Sequence, residues 1–259
     1  MNRELEEILN CRVFTADPEQ MRAFVERPKE IIVQYNPSPE YTSTTTTLTL
    51  VLQKQCSMIP KLEQEFSSQS YNIQHLGPWC VNRLWQLYVE RLADGGNLTH
   101  VGPEIKLAQG IIRSSNIPPP VCTERYLSPK VMKLIQLLRV AGHGLKDDFC
   151  GIIFVERRDT AIALCLLIQE FEEFQDRFRA QVLTGHGDGN ERVLRMSFRD
   201  QTEIISNFRK KVYNLLIATS VAEEGLDIQP CNFVVRYENR TNFKYRSQRE
   251  GSYMGSLLD

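Results

Sequence analysis

The stretch NLLIATSVAEEGLDIQPCNFVVRYE, residues 214–238, decides the fold. YNLLIATS (Tyr213 to Ser220) and NFVVRYE (Asn232 to Glu238) are short apolar, β-branched runs, too brief for helices and without the alternation of a half-exposed strand. Each therefore reads as a strand buried on both faces, with an acidic turn between them that carries Gly225 and Asp227. The same texture continues upstream. CGIIFVE (Cys150 to Glu156) and AQVLTG (Ala180 to Gly185) read as strands, and TAIALCLLIQEF (Thr160 to Phe171) and QTEIISNFRKK (Gln201 to Lys211) as helices. Buried strands that alternate with helices predict an α/β fold built on a parallel sheet covered on both sides.

Further out, the pattern becomes helical. Ser128-Pro129 supplies a cap followed by a first-turn proline, which opens a helix through PKVMKLIQLLRVAG. From Leu48 to Asn116 three apolar periodicities follow one another. They are VLQKQCSMIPKLEQEF, interrupted by Pro60; WCVNRLWQLYVERLADGG, with Val81, Leu84, Trp85, Tyr88 and Leu92 on one face; and EIKLAQGIIRSS. They predict a small bundle. Residues 1–29 read as two short helices and Glu30 to Tyr35 as a strand, and the threonine run Thr42 to Thr47 as linker or strand. Pro118-Pro119-Pro120 marks a stiff boundary. The resulting organisation is an entry segment at 1–40, a helical insertion at 41–127, the α/β lobe at 128–238 and a divergent tail at 239–259.

Composition narrows the function classes. With 31 Lys+Arg against 32 Asp+Glu, the chain lacks the basic excess of a dedicated nucleic-acid binder, so any such contact is confined to a local groove. The seven cysteines are scattered and never spaced CxxC, which argues for reduced core thiols rather than a zinc site or disulfide framework. The acidic start MNRELEEILN is no secretory signal, and no window approaches the ~18 apolar residues of a spanning helix. An intracellular chain, cytoplasmic or nuclear, is expected.

Three stretches carry chemistry. GIIFVERRDTA ends a buried strand on Arg157-Arg158, where a guanidinium can fork onto phosphate oxygens. A surface pair with Glu156 or Asp159 is the simpler reading of that stretch alone. VLTGHGDGN ends a strand on Thr184 and Gly185, with glycines again at Gly187 and Gly189. Its spacing is neither GxGxxG nor GxxxxGK, so it is no nucleotide fingerprint, and an RNA-approaching loop and a plain surface loop both remain open. IATSVAEEGLDI delivers Thr219, Ser220 and Val221 at a strand end, where hydroxyls and backbone amides suit a sugar-phosphate chain.

Together these strings resemble superfamily 2 helicases: IIFVERRDTA is similar to motif IV, VLTGHG to the short RNA-contacting motif after it, and IATSVAEEGLDI to motif V. HLGPWC (His75 to Cys80), followed by SPKVMKLIQLL, resembles the insertion and re-entry of Dicer-like helicases, of fungal type in overall texture. The resemblance implies a RecA-like second helicase lobe with an inserted α-helical bundle. It implies backbone contacts to double-stranded RNA from Arg158, Thr184, Gly185, Thr219, Ser220 and Val221, and a nucleotide-facing role for Gly225 and Asp227. ATP and Mg²⁺ are the implied cofactors of a complete protein. Two alternatives stay open: a non-catalytic module whose helical insertion binds duplex RNA or a double-stranded-RNA-binding protein, and the lobe of a related RNA-sensing or DNA-remodelling helicase. The chain departs from the family in lacking a GKT/S loop and a DExH or DEAD box, and its tail YRSQREGSYMGSLLD lacks the arginine spacing of motif VI. A truncated piece of a longer protein, without its own ATPase or nuclease activity, is therefore expected.

Overall fold

The computed structural model describes residues 33–34, 50–52, 54–56, 75–94, 102–114, 124–145, 148–185, 198–219 and 231–238. Helices α1 (Pro78–Asp94), α2 (Gly102–Ser114) and α3 (Pro129–Leu145) come first. They are followed by β1 (Gly151–Val155), α4 (Arg158–Glu170), β2 (Ala180–Leu183), α5 (Phe198–Arg209), β3 (Leu215–Thr219) and β4 (Phe233–Arg236). Among the described residues the strands form one parallel sheet in the order β2-β3-β1-β4. The sequence expectation of a buried parallel sheet is met.

Each strand buries both faces because its apolar side chains alternate between two clusters. Ile153, Val155, Leu215, Ile217 and Phe233 meet α3, α4 and the start of α1 on one side. Ile152, Leu183, Leu216 and Ala218 meet Ile204 and Phe208 of α5 on the other. Each fully buried side chain of this size contributes roughly 1.5–3 kcal/mol of transfer free energy. Near the amino edge, Phe149, Phe178 and Phe233 stack with centroids 4.8 and 5.4 Å apart. Gly142 allows α3 to lie close, because a Cβ there would come within 2.9 Å of the Phe178 ring. Helix α3 runs through Gly142 and Gly144 to Leu145, three residues past the expected end at Gly142.

Asparagines tie the amino ends of the strands together. The Asn214 side chain accepts from Arg179 N and donates to Arg177 O, both at 2.8 Å, joining β3 to the approach of β2. Asn232 does the same for β4 and β1, accepting from Cys150 N at 3.0 Å and donating to Asp148 O at 2.7 Å.

The helical segment is less separate from the lobe than its one-faced periodicity suggests. Val81, Leu84, Trp85 and Tyr88 are buried as expected, yet so are Trp79, Cys80, Asn82 and Val89. Helix α1 is buried on two sides because it packs against both α2 and α4. Leu76, Trp79, Cys80 and Leu84 belong to the same apolar cluster as the sheet. Arg83 bridges to Glu170 at the end of α4, its Nε lying 3.1 Å from the carboxylate.

The re-entry point is stapled as well. Ser128 Oγ caps α3 by accepting from Val131 N at 3.1 Å, as Ser128-Pro129 predicts, and donates to His75 O at 2.6 Å. Gly77 sits at φ +92°, and a Cβ there would lie 2.6 Å from Ser128 N.

Of the expected strand Glu30 to Tyr35, only Val33 and Gln34 are described. Neither is in a strand, and both are exposed. An apolar run becomes a strand only where a neighbour completes its ladder, and no described strand pairs with them. The two expected helices in 1–29, the threonine run, the triple proline and the tail 239–259 lie outside the described residues.

Candidate functional site

Parallel pairing brings the ends of the motif-bearing strands to one edge. Val155 is level with Thr219, and Leu183 with Ala218, so Thr184 continues β2 to the level of Thr219. Phe154 is level with Arg236, and Tyr237 N donates to Phe154 O at 2.9 Å. Thr184, Thr219, Val155 and Tyr237 thus share one row at the carboxyl edge, where ligands of open α/β sheets collect.

Helix α4 starts directly after β1 because Arg157 holds an extended backbone (φ −113°, ψ 146°) before the first helical residue. Its amino end, the positive end of the helix dipole, therefore lies at the same edge. The two arginines divide their tasks. Arg157 Nε pairs with Asp159 at 3.3 Å, the pairing read as the simpler alternative, although Asp159 is buried rather than on the surface. Arg158 instead reaches across to β2, and its Nη2 donates to Gly185 O at 2.8 Å. Gln201 of α5 donates to Thr184 O, so the Thr184–Gly185 turn is held from both faces of the sheet.

Of the sequence-assigned residues, Arg158, Thr184, Gly185 and Thr219 come together at this edge, with Thr184 and Thr219 buried. Ser220, Val221, Gly225 and Asp227 lie outside the described residues. The sequence did not single out Gln201, which holds the Thr184 carbonyl, or Arg236. Arg236 is exposed at the carboxyl end of β4. Its signal was the charge closing the apolar run NFVVRYE.

Beside this row lies a cluster of ionisable groups. Lys130 Nζ stands 4.2 Å from the Tyr237 ring centroid, and Tyr237 OH donates to His75 O at 2.6 Å. The backbone N–H of Glu156 donates to the Glu238 carboxylate. Burial holds Lys130 below the usual ammonium range, opposed in part by Glu238 and Glu156. Burial also lowers His75, and the neighbouring Lys130 charge adds to the effect.

Both residues assigned to the nucleotide lie outside the described residues, and the described residues contain no group of three His, Cys, Asp or Glu that could hold a metal ion. No helix among the described residues is long and apolar enough to cross a membrane.

Comparison with known proteins assigns this architecture. Residues 129–252 match the model of the helicase conserved C-terminal domain. The chain is 30% identical over 274 aligned residues to Dicer-like protein 1 of Pyricularia oryzae, an alignment covering 95% of the chain and 17% of that relative. It is 44% identical over 110 residues to the endoribonuclease Dicer of Gallus gallus, covering 39% of the chain and 6% of that protein. The chain thus spans about a sixth of the length of the Dicer-like relative. Among solved structures, the Hef helicase domain of Pyrococcus furiosus aligns with 92% of the chain and 57% of its own, at 19% identity and a TM-score of 0.45. The chain carries a helicase C-terminal lobe of the Dicer-like type.

Proposed function

We propose that the carboxyl edge of the sheet contacts the sugar-phosphate backbone of double-stranded RNA, in an ATP-dependent helicase that serves RNA processing in silencing or antiviral defence. The observation that carries this reading is the row of Thr184 and Thr219 on neighbouring strands, with Arg158 reaching the adjoining Gly185 carbonyl. Hydroxyls and a guanidinium read phosphates and 2′-hydroxyls rather than base edges, so binding is weak and largely independent of sequence. Ser220 and Val221 extend the contact, and Gly225 and Asp227 face a nucleotide held against a first lobe. In the complete protein, ATP and Mg²⁺ supply the phosphoryl-transfer chemistry that drives motion. Alone, this 259-residue chain neither binds ATP tightly nor hydrolyses it.

Fluorescence anisotropy with a labelled RNA duplex tests the first part. Binding is expected to weaken as salt rises, and Thr219→Ala to weaken it several-fold, the loss of about 1 kcal/mol from one hydrogen bond. Unchanged affinity in Thr219→Ala and Arg158→Ala, at unchanged folding, would remove the edge from the binding surface. RNA-stimulated phosphate release by the purified chain would contradict the second part.

A further inference from the structure

At the opposite, amino edge of the sheet two thiols face each other. Cys150 precedes β1 and Cys231 precedes β4, and their Sγ atoms lie 3.9 Å apart. The backbone already holds them: Asn232 N and Phe233 N both donate to Cys150 O, at 3.0 and 3.2 Å. The register sets Cys150 level with Asn232, so Cys231 stands one residue back on the neighbouring strand. A ~3.3 Å step along the strand across a ~4.8 Å spacing gives roughly 6 Å between Cα atoms, inside the ~4.4–6.8 Å that a disulfide requires. A bond of about 2.05 Å needs the sulfurs to approach by only about 1.9 Å. The other described cysteines are placed differently. Cys165 points its thiol at Ala180 O and Cys56 at Glu104 O, and both are buried, as is Cys80. Cys150 is half-buried, which gives a small oxidant access.

We propose that Cys150 and Cys231 form a redox modification site, closing to a reversible disulfide when the chain meets a peroxide. The polarity of the pair favours Cys150 as the attacking group. The hydrogen bond from Cys231 and the nearby Lys211 charge lower its pKa, while the same bond raises that of Cys231. The Cys150 thiolate attacks one peroxide oxygen, the O–O bond breaks, and a sulfenic acid forms as the other oxygen leaves and takes up a proton as water. Cys231 then attacks the sulfenic sulfur, the S–O bond breaks, and the hydroxyl departs with the Cys231 proton as a second water. Two thiols lose two electrons and two protons, and one peroxide is reduced to two waters. A dithiol reductant reverses the change by thiol–disulfide exchange.

The test treats the full-length chain with hydrogen peroxide, blocks remaining thiols with iodoacetamide under denaturing conditions, and maps peptides without reduction. The expected product is a cross-linked pair of peptides containing Cys150 and Cys231, about 2 Da lighter than their sum and lost after dithiothreitol. In Cys231→Ser, Cys150 is expected to stop at the sulfenic acid and be captured by dimedone, whereas in Cys150→Ser, Cys231 stays alkylatable. The proposal is overturned if both thiols stay fully alkylatable in the native chain after peroxide treatment, or if either is recovered mainly in a disulfide with another cysteine.

Discussion

At the scale of single residues, small polar groups and one glycine set the geometry that the larger elements follow. Asn214 satisfies Arg179 N and Arg177 O with its one side-chain amide, which fixes where β3 starts relative to β2. Asn214→Ala leaves both backbone groups without that partner and is expected to cost about 1–3 kcal/mol, read as a lower urea midpoint at unchanged slope. Gly77→Ala places a methyl group 2.6 Å from Ser128 N at φ +92° and is expected to destabilise by roughly 2 kcal/mol. A Gly77→Ala midpoint equal to the parent's would show that the His75–Cys80 turn relaxes freely. Neither role was legible in the sequence. An asparagine before an apolar run and a glycine before a proline are ordinary turn signals, and the groups they serve are supplied 35 and about 50 residues away in the chain.

At the scale of elements, the same contrast separates what the sequence discloses from what it hides. Strands such as Gly151–Val155 and Leu215–Thr219 were legible because burial on both faces leaves continuous apolar runs. The order β2-β3-β1-β4 was not, since all four strands carry the same apolar texture and pairing partners are set at long range. The site divides likewise. Thr184, Gly185 and Thr219 were legible as strand ends, whereas the reach of Arg158 to Gly185 depends on β2 and α4 meeting in space. Helix α1 was read as one-faced, yet α2 and α4 cover it from two sides. This makes α1 part of the lobe's core. Trp79→Ala is therefore expected to cost about 3–5 kcal/mol in the stability of the lobe itself, monitored by urea unfolding of the whole chain. Arg83→Ala, which removes a half-exposed pair with Glu170, is expected to cost less than about 1 kcal/mol. A Trp79→Ala chain whose sheet unfolds at the parent's midpoint would restore the view of an independent helical module.

At the scale of the whole molecule, charge balance and burial set the response to pH and salt. His75 is held below its ordinary value of 6.5 by burial and then by Lys130. In the window from about 6.5 down to that lowered value the unfolded chain takes up a proton that the folded chain refuses, so stability falls as pH falls. His75→Gln is expected to lose stability less steeply than the parent between pH 7.5 and 5.5; parallel curves would remove His75 from the linkage. The near-neutral chain, 31 basic against 32 acidic residues, predicts a contact with RNA confined to one edge rather than spread over the molecule. Ultraviolet cross-linking of an RNA duplex to the full chain, followed by peptide mass spectrometry, tests that claim most directly. The predicted result is cross-linked peptides that contain Arg158, Thr184–Gly185 and Thr219–Val221, diminishing together as salt rises. Cross-links confined to α1 and α2, or to the amino edge around Cys150 and Asn232, would contradict it.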